Sequence, residues 1–326
     1  MSSTMTRSLK PWLSIDDQIQ RLTDRGMLIK DRAQVKHALT VVGYYRLSGY
    51  WYPYREPDPT THGRRLDDFI EGTDFAEVQA LYEFDCMFKN LLLRGIERVE
   101  VAFRSRIGHL VGEWGPLAHS ESHRFRSTFD HAKWWKTAKH RIDRARGRDE
   151  TVDHHDQYYG GEIPIWVLTD LLDFSDLSML YAGMIAPDQR TIAEWFNVTA
   201  ASDISKTALK NWNKNPPLTN WLEHLCIVRN ICAHHGRLWN RQLTPLGIPQ
   251  RVHHLSVFDD LIPTLDPKRP DLWQSERVFG TVCIINYLLN SVEPGTTWRA
   301  DVDELVSRSF PAGGHRGRVE MGFPTA

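Results

Sequence analysis

"GIERVEVAFRSRIGHLV", residues 95–111, decides the fold class of this 326-residue chain. Ile96, Val99, Phe103, Ile107 and Leu110 recur at intervals of three and four, which puts them on one face of an α-helix and predicts a core stripe. The pattern reaches back to about Asp74. Glu97, Glu100, Arg104 and His109 fall on its polar side, with Glu100 and Arg104 spaced to pair across one turn. Gly95 and Gly108 give so long an element two places to bend.

Helical periodicity continues outward in both directions, and alternating strand-like runs are scarce, so the expected fold is all-α. Ser14 can cap a short helix that Gly26 ends, and a second helix runs from about Asp31 to Gly43. "GYYRLSGYWYPYRE", residues 43–56, holds six aromatics and two glycines and predicts an ordered turn wedged against the core; stacking of RNA bases is its functional alternative. Pro164 opens a helix that continues as "IWVLTDLLDFSDLSMLYAG", residues 165–183. Shorter helices are expected at 188–196 and 202–213. "NPPL", residues 215–218, launches another, "QLTPLGIPQ" at 242–250 is punctuation, and a last core helix spans about Asp271 to Ser291. The glycine-rich stretch after Phe310 is expected to fray.

The chain has 40 Lys+Arg against 41 Asp+Glu, which excludes a uniformly basic coat and makes any electrostatic binding surface local. The charge is sorted along the sequence. Residues 94–148 carry thirteen Lys/Arg against six Asp/Glu, whereas residues 149–189 contain no Lys or Arg. That basic block reads either as a surface that tracks phosphates or as a solvated face matched by the acidic stretch after it. The four cysteines form no CxxC pair, and no signal peptide or bilayer-spanning run is evident, so a reducing cytoplasm is expected, with no membrane partner.

The chemistry concentrates in "RNICAHHGRLWNR", residues 229–241, whose thirteen positions read as the continuation of an apolar helix bearing Trp221, Leu222, Leu225, Ile227 and Val228. On a helix Asn230 and His234, four apart, share a face, and Arg229 lies beside them. A guanidinium, an amide and an imidazole directed at one point suit RNA cleavage without a metal. The ribose 2′-hydroxyl must lose a proton and the departing 5′-oxygen must gain one, which an imidazole titrating near about 6.5 can serve. The guanidinium fork matches phosphoryl oxygens as their charge grows. One motif offers one imidazole for two proton movements, so a second copy from a symmetry mate is expected, giving a composite site in a homodimer. His235, about 100° away on the helical wheel, is the competing proton carrier, and Arg237 and Asn240 extend the polar run.

Arg104 and His109 also fit Arg-x4-His. The immediate Asn230 and the dense polar run from His234 to Asn240 make the second motif the more specific one. Cys226, Cys232, His234 and His235 would lie on one helix and could not close a tetrahedron around zinc, so no metal and no cofactor is expected. His154-His155 and His253-His254 read as surface pairs in loops or at helix edges. No GxGxxG, Walker loop, GxSxG or HExxH occurs.

"RNICAHHGRLWNR" resembles the signature of the Abi-like abortive-infection proteins, the AbiD/AbiF group, and Arg229-Asn230-x3-His234 matches the R-N-x3-H form of the HEPN superfamily's catalytic motif. "GYYRLSGYWYPYR" at 43–55 resembles the family's N-terminal block, and "IERVEVAFRSRIGHLV" at 96–111 its middle block. The resemblance implies a HEPN-type helical bundle, usually dimeric, with metal-independent endoribonuclease activity that acts as a toxin against phage-infected cells. It implies catalytic roles for Arg229, Asn230 and His234. Arg104, His109, Glu100, His235, Arg237 and Asn240 are then supporting or RNA-binding candidates, with Arg104, oriented by Glu100, expected to approach the site. RNA is the implied substrate, and a small structured RNA is an implied antitoxin. The corresponding layout is an N-terminal helical and aromatic segment at 1–66, a HEPN-like core at 67–241 and a helical extension at 242–326. A non-cleaving RNA-binding or scaffold protein with the same fold is the alternative.

Overall fold

The computed structural model describes residues 9–200, 205–214, 216–247, 276–311 and 314–324. His253-His254, the start of the helix expected at Asp271, residues 248–250 of the proline and glycine punctuation, and part of the glycine-rich stretch after Phe310 lie outside them. Helices α1 (Ile15–Asp24), α2 (Arg32–Val41) and α3 (Tyr44–Trp51) come first, then strands β1 (Arg55–Pro57) and β2 (Arg65–Phe69). Next are α4 (Phe75–Trp114), α5 (His131–Ala145), α6 (Glu150–Tyr158), α7 (Ile165–Leu171), α8 (Phe174–Gly183) and α9 (Ala186–Trp195). The described chain closes with α10 (Lys206–Lys214), α11 (Pro217–Ala233), α12 (Val278–Val292) and α13 (Trp298–Ser309). The fold is thus mainly α. Among the described residues no helix is long and apolar enough to cross a membrane.

The contacts divide the chain into two compact units, one of residues 1–87 with 306–317 and one of 88–305 with 318–326. In the first, Ser14 accepts from the Asp17 N–H to cap α1, and Asp31 accepts from Gln34 to cap α2. The aromatic stretch expected to be a turn is instead a two-turn helix, α3. It buries Leu47, Tyr50 and Trp51, and Tyr54 behind it, because its apolar residues recur at helical spacing and not as a loop's. The Tyr50 hydroxyl donates to Asp85 at 2.6 Å inside the core. The β1–β2 hairpin pairs Arg55 with Phe69 and Pro57 with Arg65, with an irregularity between.

In the second unit α4 supplies the stripe read from the sequence. Leu92, Ile96, Val99, Phe103 and Ile107 have no exposed surface, and Val111, not the half-buried Leu110, takes the next place. Gly95 allows a close approach: a methyl group there would sit 2.7 Å from Ile285 of α12 and 2.8 Å from Trp298 of α13. The Trp298 indole fixes that contact by donating to the Leu91 carbonyl at 2.9 Å. The expected single helix over 165–183 is two, because Asp173 and Asp176 form a capping box that starts α8 afresh. α11 packs on α8 and α12 through Leu218, Trp221, Leu222, Leu225 and Val228.

Candidate functional site

α11 starts at the proline pair the sequence marks, and one face of its first three turns is buried. Its last turn reaches solvent. Arg229 and Asn230 are exposed, and the Arg229 Nη1 donates to the Asn230 Oδ1 at 3.4 Å. The helix does not run on to residue 241 as the sequence suggests; it ends at Ala233, and the exposed His234 is its C-cap, with φ −91° and ψ 13°. His234 still sits one turn above Asn230, since its N–H donates to the Asn230 carbonyl at 2.9 Å.

The helix ends in a Schellman turn. Gly236 donates to the Ile231 carbonyl at 2.8 Å and His235 to Cys232 at 3.0 Å, with His235 in the left-handed region at φ 56°. The same hydrogen bonds end α1 around Gly26 at φ 90° and α9 around Asn197 at φ 58°. Glycine and asparagine are the usual occupants of that position; a histidine there carries about 1 kcal/mol of backbone strain. Because His235 is left-handed, the helical-wheel angle of 100° from His234 does not describe it. After the turn the chain re-enters the core: Leu238 and Trp239 are fully buried, while Arg237 and Asn240 are half-buried. The Asn240 carbonyl accepts from Arg277 at 3.0 Å.

Two residues that the sequence reading passed over hold this element. Lys89 of α4, only 3% exposed, donates to the Gly236 carbonyl at 3.1 Å and ties the turn to the central helix. His224 is buried between the Thr244 carbonyl at 3.0 Å and the Thr281 hydroxyl at 2.8 Å, so it clips α11 to α12 and to the segment after Asn240. Burial pushes its imidazole down to about 4. A signal for both existed. Lys89 stands in the buried register with Asp85, Leu92 and Ile96, and His224 beside Trp221, Leu225 and Val228.

Glu100 and Arg104 pair across one turn of α4, both mostly buried. Arg104 also donates to the carbonyls of Thr169 and, at 2.8 Å, Leu172, so its guanidinium fastens α4 to the end of α7. The Cys226 thiol of α11 is buried. Burial pushes it up to about 12, the Glu100 carboxylate adds to that rise, and the Arg229 guanidinium opposes it. A hydrogen bond with Ser178 lowers it as well, and Cys226 lies one turn before Asn230 on α11.

Arg104 and His109 line a groove of about 680 Å³ with Gly108, Gly112, Trp166 and Asp170. His109 is well exposed in it and lies 3.5 Å from Glu113. His154 and His155 lie on α6, not in a loop, and line a hollow of about 460 Å³ with Tyr159 and Trp166.

No match appears among curated proteins or solved structures. A family model does match: that of the Abi-like proteins covers residues 37–240, more than half of the chain, from within α2 to Asn240 of the motif. The chain is therefore a member of the Abi-like protein family.

Proposed function

We propose that the protein is a metal-independent endoribonuclease of the HEPN type, acting as the toxin of an abortive-infection system. The Abi-like family itself points to abortive infection, a form of phage defence. The observation that carries the finer reading is the local change along α11: a helix that buries one face over three turns exposes Arg229, Asn230 and His234 where it ends. The carbonyl end of a helix repels phosphate, so an anion there must be held by side chains. The Schellman bonds occupy those carbonyls, and Arg229 supplies the cation.

In the proposed reaction the 2′-oxygen of one ribose forms a bond to the adjacent phosphorus as the bond from phosphorus to the 5′-oxygen breaks. One proton leaves the 2′-hydroxyl and one arrives on the departing oxygen. His234 carries one of these transfers, and its copy in a second subunit carries the other. Arg229 holds the phosphoryl oxygens as charge gathers on them, and Asn230 keeps that guanidinium in register through the contact at 3.4 Å. Small structured RNA is the proposed restraining partner.

The test is cleavage of total RNA by purified wild type, His234→Ala and Arg229→Lys, with the mass of each in solution. We expect His234→Ala to be inactive but folded and of unchanged oligomeric state. Arg229→Lys should lose most activity, because a point charge does not replace a fork. Cleavage retained by His234→Ala overturns the assignment, and a folded wild type that binds RNA without cutting it favours the scaffold alternative.

A further inference from the structure

The basic block at residues 94–148 is divided by the fold into two populations. Arg98 pairs with Glu293 at 2.8 Å, Arg104 with Glu100, Arg124 with Glu121 at 2.8 Å, and Arg141 with Asp173 and Asp176. Arg106 lies 3.8 Å over the Trp195 ring, Arg126 donates to Gln189 and the Met184 carbonyl, and Arg146 faces Asp143 and Asp156. These cations belong to the architecture. Lys133, Lys136, Lys139 and Arg144 of α5 do not: like Arg94 and Arg148 elsewhere in the block, all four are exposed, and none forms an ion pair with any described residue.

Their spacing makes them a surface. α5 buries His131, Trp134, Ala138 and Ile142, at intervals of three, four and four. Lys133, Lys136, His140 and Arg144 repeat those intervals two residues later, which is about 200° around the helix, so they run along the face opposite the buried one. Lys139 flanks them, its ammonium 5.8 Å from the Trp135 ring centroid. The stripe is about 16 Å long. A helix that lies on a membrane turns apolar side chains to the lipid, whereas those of α5 are buried in the protein and the outer face offers charge alone.

From this geometry we infer that the outer face of α5 is a docking track for the phosphate backbone of RNA, separate from the motif on α11. The inference rests on the reading that the ligand is RNA, and it adds where the backbone is held away from the scissile bond. Phosphate contacts position a strand without reading its sequence, so the track raises affinity uniformly and imposes salt dependence.

The probe is a fluorescein-labelled single-stranded RNA of mixed sequence, titrated from about 50 to about 200 mM salt in a His234→Ala background. Replacing Lys133, Lys136, Lys139 and Arg144 by Gln should lower the slope of log affinity against log salt by about 3, at about 0.7 per contact. Binding at about 0.1 M salt should weaken on the order of a hundredfold. Asp143→Lys, on the edge of the same face, should steepen the slope by just under one, roughly one contact, a gain that misfolding cannot imitate. In an active background the fourfold variant should still cleave a dinucleotide as wild type does. Unchanged slopes in both variants overturn the inference, as does a loss confined to phosphatidylserine vesicles, which would assign the face to lipid. If wild type cuts no RNA but the slopes move as stated, the nuclease reading falls and the track stands; if cleavage is normal and the slopes are fixed, the reverse holds.

Discussion

Acid should loosen this protein through two buried histidines, and His224 gives the sharper test because it clips the motif helix in place. Burial holds its imidazole at about 4 in the folded chain against 6.5 for the free side chain. His119, 1% exposed, is held at about 4 by burial and by His131 beside it. Since the folded pKa is the lower one, the unfolded chain binds more protons between 6.5 and 4, and stability falls as pH falls through that window. The contribution is complete above 6.5 and exhausted below about 4. Each histidine steepens the fall by up to about 1.4 kcal/mol per pH unit, so His224 alone removes about 2 kcal/mol between about pH 7.5 and about pH 5. That is a large share of the roughly 5–15 kcal/mol typical of a folded domain.

The assay is urea unfolding followed by tryptophan fluorescence at those two pH values, for wild type and His224→Gln. Glutamine keeps a donor for the Thr244 carbonyl and an acceptor for Thr281 but takes up no proton. It should lose stability at both pH values and show a pH difference smaller than wild type by about 2 kcal/mol. Carboxylates titrate in both proteins and cancel from the comparison. An equal pH difference in the two proteins refutes the reasoning.

Gly95→Ala should destabilise the second unit by about 1–3 kcal/mol in the same urea assay, since the new methyl meets Ile285 and Trp298 at under 3 Å and outweighs alanine's helical preference of about 1 kcal/mol. His235→Gly removes a left-handed histidine and should stabilise by up to about 1 kcal/mol, read as a melting temperature higher by a few degrees. If His234 is the proton carrier, that variant keeps its RNA cleavage; lost cleavage would move the role to His235. Lys89→Ala, which strips the Gly236 carbonyl of a buried cationic donor, should cost about 2–4 kcal/mol by thermal or urea unfolding, and a change under about 0.5 kcal/mol would contradict that role.

Local rules were readable from the residues. The α4 stripe needs only three- and four-residue spacing, and the cap at Ser14 and the stop at Gly26 need only their own side chains. The end of α11 misled because the glycine that signals a stop, Gly236, follows the left-handed position, which His235 fills. The fate of the basic block was illegible for a different reason. Arg98 is neutralised by Glu293 and Arg141 by Asp173, partners that only tertiary structure brings near, and without them paired and free cations look alike. Lys89 and His224 stand in buried registers that the sequence shows, but their partners could not be read from it, since the Gly236 carbonyl and the Thr281 hydroxyl lie 147 and 57 residues away. The motif residues were legible as a cluster of polar types, and what the fold adds is the exposure of Arg229, Asn230 and His234 where α11 ends.

The most direct test of that chemistry is the ends of the RNA fragments. Total RNA is incubated with the wild-type protein in excess EDTA, and the new termini are assigned by ligation and mass spectrometry. We expect 2′,3′-cyclic phosphates paired with 5′-hydroxyls, absent with His234→Ala. Fragments ending in 3′-hydroxyls, or cleavage abolished by EDTA and restored by a divalent ion, would contradict a site built on Arg229, Asn230 and His234.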